Sequence, residues 1–138
     1  MGGGAGYDGD VAARSRLSSR EFFEHAEQMR RAPVRERKCH ASLNPHGKIR
    51  ECRDSEEHPT TSPIALVLDL TESRGEDTRI IFAKMPMFIG QIVRHAYTTH
   101  PEVCIAGVGD ATCDKASAQV GQFETDNRID QDLKNIWP

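Results

Sequence analysis

Apolar positions gather in the second half of the chain, and their spacing changes character from one segment to the next. "IALVLDL" (64–70) is a continuous apolar run, apolar on both faces of an extended chain, which predicts a parallel strand buried between helix layers. "TRIIFAKMPMFIGQIVRHAYTTH" (78–100) switches to helical spacing, with Ile81, Met85, Phe88, Ile92 and Ala96 on one face. Pro86 lacks a backbone donor, so a kink or restart is expected there. "EVCIAGVGD" (102–110) reads as a second doubly buried strand, with Cys104 as a small core residue. "SAQVGQF" (117–123) is a shorter, more polar strand suited to a sheet edge, and "NRIDQDLKNIW" (127–137) sets Ile129, Leu133 and Ile136 on one helix face beside Trp137. The order strand, helix, strand, strand, helix predicts an α/β fold with a right-handed crossover between the first two strands.

Residues 1–60 are polar, rich in glycine at the start and in arginine later. They read as an N-terminal extension, partly irregular, with a boundary near "HPTTSP" (58–63) and a partial domain over 61–138. The extension holds one predicted helix. In "SSREFFEHAEQMRRA" Ser18 precedes Glu21 by the capping-box interval, Phe22, Ala26 and Met29 share a face, and Pro33 ends the run. Arg30, Arg31, Arg35, Arg37 and Lys38 follow as a basic stretch. A solvated surface explains it better than a nucleic-acid arm, because no aromatic residues interleave it.

Bulk composition narrows the function. The chain has 138 residues and a net charge of −3, which argues against general attraction to nucleic acid or anionic membrane. Mean hydropathy is −0.59, and no apolar segment approaches the roughly 20 residues that span a bilayer. "MGGGAGYDGD" has neither a basic nor an apolar leader segment, and Gly6 stands where a myristoylation signal wants Ser or Thr. A cytoplasmic protein with reduced Cys39, Cys52, Cys104 and Cys113 is expected. Cys39, His40, His46, Cys52 and His58 lack the tight pairs of a structural zinc site. His95 and His100 flank the end of the long helix, where a cationic side chain suits the helix dipole.

The chemistry gathers where the first strand ends. In an extended segment Asp69, Thr71 and Ser73 share a face, so one carboxylate and two hydroxyls form a hard-oxygen set suited to a small divalent cation. Ligands of open α/β sheets collect beyond the strands' carboxyl ends. Asp110, in "GVGDATCD", follows the second strand and either stabilises a turn or approaches such an ion through water.

"DLTES" fits D-x-[ST]-x-S, and "IALVLDLTESRGED" before a long amphipathic helix resembles the first strand, metal loop and first helix of the von Willebrand factor A (VWA) domain family. "MPMFIGQI" and "GVGDATCD" are similar to a prokaryotic and phage-type branch of it. The resemblance covers residues 60–138. It implies a Rossmann-type doubly wound sheet and a metal-ion-dependent adhesion site (MIDAS), with Thr71 and Ser73 as direct ligands of Mg²⁺ (or Mn²⁺) and Asp69 as the anchoring acid. It also implies protein–protein recognition in which an acidic side chain of the partner caps the ion. Glu72 and Arg74 stand where family members often carry Gly and Met, and Arg74 would either pair with Glu72 or repel the ion. The family draws a further threonine and aspartate from later loops, so the chain resembles a domain truncated after its second helix. The first strand is then an exposed edge open to self-association. The alternatives are a truncated fragment without functional metal binding and a basic-arm nucleic-acid-associated protein.

Enzymatic readings lack their residues. Haloacid-dehalogenase-type phosphatases carry D-x-D-x-T, whereas Thr71 replaces the second acid here. The chain has no G-x-x-x-x-G-K-[ST] loop and no nucleophile elbow.

Overall fold

The computed structural model describes residues 24–71, 74, 76–126 and 128–137, without the side chains of residues 78, 82, 86 and 93. Its elements are α1 (Glu24–Arg31), β1 (Ser62–Asp69), α2 (Asp77–Arg94), β2 (Pro101–Val108), β3 (Ala118–Val120) and α3 (Arg128–Asn135). Single 3₁₀ turns lie at Val34–Glu36 and Ala41–Leu43. The chain is therefore α/β, with a three-stranded mixed sheet in the order β1-β2-β3. β1 and β2 run parallel, with Ile64 beside Val103, Leu66 beside Ile105 and Asp69 beside Val108. β3 is antiparallel to β2, with Ala106 beside Val120.

Three expectations change at β1 and α2. β1 is not buried on both faces. Ile64, Leu66 and Leu68 turn inward, while Pro63, Ala65, Val67 and Asp69 are exposed. α2 and α3 also share one side of the sheet, since Met85 and Ile89 of α2 join Ile129 and Leu133 of α3 in the cluster built on Leu68, Val103 and Ile105. A doubly wound arrangement would place them on opposite faces. Hydrophobicity alone does not reveal this, because an apolar run reads the same whether one face or two is covered. α2 runs through Pro86 without restarting, but it stops at Arg94. Ala96 is not on its apolar face. It adopts φ 49°, and the Tyr97 N–H reaches back to the Ile92 carbonyl at 3.3 Å, the bond that closes a helix through a left-handed residue.

β1 forms one edge of the sheet among the described residues. Ser62 N–H donates to His100 O and Leu70 N–H to Val108 O, so the intervening alternation turns the N–H groups of Ala65, Val67 and Asp69 toward the open edge.

The segment before β1 contributes to the same core. Leu43 is fully buried within the cluster that contains Leu133 and Ile136. Trp137 donates its Nε1–H to Lys38 O at 3.0 Å. Its backbone also satisfies the buried Gln119 amide, which donates to Trp137 O at 2.6 Å and accepts from Trp137 N at 3.3 Å. Ala26 of α1 packs with Trp137 and Ala116, and Met29 adjoins them. Ser18, Glu21 and Phe22, the predicted start of that helix, lie outside the described residues.

Candidate site at the strand ends

The side chain that sets this site is Leu70. It is buried and lies over Gly107, where a β-carbon would have no room, and its N–H donates to Val108 O at 2.8 Å. Fixing Leu70 inward turns its neighbours away from the core. Asp69 is exposed at the carboxyl end of β1, and its Oδ1 accepts the N–H of Thr71 at 2.9 Å. That backbone bond, followed by the Thr71 hydroxyl, holds the Asp69 carboxyl below the usual carboxylate range, with a smaller contribution from the Arg74 charge. Arg74 N–H donates to Thr71 O at 2.8 Å, so the loop begins as a tight turn. The expected pairing of Arg74 with Glu72 falls outside the described residues, whereas Arg74 Nη1 lies 3.5 Å from Asp77 Oδ2. Ser73, the third residue of the predicted set, and Gly75 are also outside the described residues.

The neighbouring strand ends in the same way. Asp110 follows β2 by two residues, and its Oδ1 accepts both the Thr112 hydroxyl at 2.6 Å and the Thr112 N–H at 2.7 Å. The hydroxyl is the larger cause of the lowered Asp110 carboxyl, and the backbone bond comes next. Asp114 Oδ2 then accepts the Asp110 N–H at 2.5 Å and occupies the space beside Gly109 that a β-carbon would need. Since Asp69 is in register with Val108, two Asp-x-Thr turns stand side by side where two parallel strands end. The first was read in the sequence as chemistry. At Asp110 the turn-stabilising role expected from the sequence is present, and "DLT" and "DAT" after apolar runs are the repeated signal.

As a donor set these residues offer carboxylate and hydroxyl oxygens on an exposed surface. Hydrogen bonds lower both carboxyls and so favour the carboxylate form that a hard cation such as Mg²⁺ takes. Among the described residues no three His, Cys, Asp or Glu side chains converge on a point. Asp69 and Thr71 thus bring one carboxylate and one hydroxyl together at the end of β1, with Asp110 beyond the end of the adjacent strand, the oxygen types that a hydrated Mg²⁺ would take. The cysteine and histidine residues of the N-terminal half do not gather into a zinc site, and all four cysteines are free. No described helix is long and apolar enough to cross a membrane.

Compared with known proteins, the chain matches no family model, no curated protein and no solved structure.

Proposed function

We propose that the chain is a metal-dependent recognition module whose resemblance to VWA domains lies in the loop and not in the helix arrangement, in which Asp69, Thr71 and Ser73 hold Mg²⁺ (or Mn²⁺) at a MIDAS-type loop and an acidic side chain of a protein partner completes the ion's shell. The observation that carries the reading is the exposed Asp69 carboxylate, kept ionised by Thr71 at the carboxyl end of a parallel strand, with Asp110 following the adjacent strand. When bound, the cation supplies an electrophilic coordination position that attracts a carboxylate. The chain's own residues do the rest. Leu70, seated on Gly107, fixes the loop's exit from the sheet, Thr71 orients the carboxylate, and Asp110 would approach the ion through water. With Asp69 as the single anchoring carboxylate, most of the cation's charge would be left for the partner. Recognition, not catalysis, is the role, and a cytoplasmic setting suits it. The open β1 edge adds self-association as a second mode of contact.

The test is a titration of the protein with Mg²⁺ and Mn²⁺, read as thermal stability, beside Asp69→Ala. A ligand that binds only the folded state must raise its stability. A saturable rise that disappears in Asp69→Ala supports the site. No rise in a chain that melts cooperatively rejects it and leaves an α/β fragment without functional metal binding.

A further inference from the structure

At the opposite end of the sheet two histidines face each other. His58 Nδ1 and His100 Nδ1 are 2.8 Å apart, with ring centroids at 4.8 Å and planes inclined at 65°. The helix-dipole role expected of His100 does not apply, because α2 has already ended at Arg94. His100 instead adopts φ 45°, an uncommon backbone for a residue with a β-carbon. Its turn is clamped from the side. His100 O accepts Ser62 N–H at 3.1 Å, Thr99 Oγ1 donates to Thr60 O at 3.3 Å, and Thr98 Oγ1 donates to Ser62 Oγ. His58 is fixed independently, by reciprocal bonds from its N–H to Ser55 Oγ at 3.0 Å and from Ser55 N–H to its carbonyl at 2.8 Å. Two half-buried imidazoles thus project from separately braced backbones and meet at their Nδ1 atoms.

From this geometry we infer that His58 and His100 form a bidentate site for a divalent first-row transition ion that takes imidazole ligands, such as Ni²⁺ or Cu²⁺. An imidazole nitrogen sits roughly 2.0–2.1 Å from such an ion. The two Nδ1 atoms, 2.8 Å apart, are close enough to reach one ion once the rings turn. Without metal, one ring donates an Nδ1–H and the other accepts. On binding, the donor ring carries its proton on Nε2 instead, and both rings turn so that their Nδ1 lone pairs meet the ion. Water or a small oxygen ligand fills the other positions, since no third His, Cys, Asp or Glu completes a cluster among the described residues. This site is separate from the strand-end oxygens. β1 intervenes, and its eight residues span about 25 Å.

The probe is Ni²⁺, because the four free thiols would reduce Cu²⁺. Calorimetry on the untagged chain near neutral pH should give one saturable equivalent. Paramagnetic broadening should fall on the ring protons of His58 and His100, not on those of His25, His40, His46 or His95. His100→Asn keeps a residue that tolerates the left-handed backbone, and His58→Gln leaves that turn untouched. Losing one arm of a chelate should weaken Ni²⁺ binding on the order of 10²-fold in either variant, and the double variant should bind no more tightly than either. If His100→Asn does not melt cooperatively, His58→Gln alone decides. Unchanged affinity in a folded variant, broadening at the other histidines, or no saturable binding by the folded parent would each overturn the assignment.

Discussion

The carboxylate of Asp132 occupies the space that a β-carbon on Gly121 would need. From there its Oδ2 accepts the Gln122 N–H at 3.2 Å, so α3 is latched to the segment leaving β3 at a point where only glycine fits. The Ile105 carbonyl closes the same space from the sheet side and accepts the Gly121 N–H at 2.8 Å. Gly121→Ala must displace the carboxylate or the strand. It is expected to cost about 1–3 kcal/mol, the usual range for overpacking a tight contact, measured as a lower urea midpoint at unchanged slope.

Asp132 itself should make the fold less stable at neutral pH than in mild acid. Burial pushes its carboxyl above the usual range, against the smaller opposing effects of the Gln122 bond and the charges of Arg50 and His40. A carboxyl raised in the folded state favours folding fully below its unfolded value, and this contribution is lost as pH rises through the folded value. Asp132→Asn keeps an oxygen for the Gln122 N–H and removes the charge. It should raise stability at neutral pH and flatten that part of the profile in paired thermal melts. Cys104, whose thiol is raised first by burial and then by the Asp132 charge, should titrate somewhat lower in the variant.

Leu43 tests how far the domain extends toward the N-terminus. The composition of residues 1–60 suggests a polar extension, yet Leu43 is fully buried against the same core as Leu133 and Ile136. Leu43→Ala should destabilise the whole domain by about 2–5 kcal/mol in a single cooperative transition, as for other buried leucines. A small effect would mean that residues 24–50 dock on a core that is stable without them.

The open edge of β1 predicts association. Val67 is 59% exposed and, like Ala65, directs its N–H to the edge, with no charged side chain on the strand before Asp69. Val67→Lys places a charge where natural edges carry one. It should leave stability within about 0.5 kcal/mol while abolishing any concentration-dependent association of the parent in sedimentation. A parent that stays monomeric at high concentration would rule out self-pairing through this edge.

The order of elements was legible because spacing reports which positions must be buried. Ile129 and Leu133 of α3, Ile136 just past its end, the small buried Cys104 and the short edge strand around Gln119 all enter the core or the sheet where periodicity placed them. What spacing could not convey was the number of faces covered. Val67 and Leu68 look alike in sequence, but one is exposed and the other is in the core. Leu43 was missed because a lone apolar residue in a polar stretch has no period. The His58–His100 pair was missed because its members are 42 residues apart, and only the parallel register that sets Ser62 beside Pro101 brings the turns together. The strand-end site was half legible. D-x-T marks the acid and its local partner, while the pairing of two such turns depends on which strands are neighbours.

The two Asp-x-Thr turns should respond unequally to the same substitution, because their hydrogen bonds rank differently. At Asp69 the Thr71 backbone N–H is the larger cause of the lowered carboxyl and the hydroxyl the smaller. At Asp110 the Thr112 hydroxyl comes first. Valine preserves shape and backbone N–H but removes the hydroxyl. Thr112→Val should therefore raise the Asp110 titration further than Thr71→Val raises that of Asp69, as followed by carboxyl carbon NMR. A carboxyl lowered in the folded state contributes stability above its unfolded value and loses it as pH falls through the folded value. Each variant should thus lose some of the parent's drop in stability on acidification, Thr112→Val more than Thr71→Val. No movement at either acid would mean that the hydroxyls do not hold them. The oriented carboxylate at Asp69 would then rest on the backbone alone, and a loss of Mg²⁺-dependent stabilisation in Thr71→Val would report the hydroxyl as a ligand.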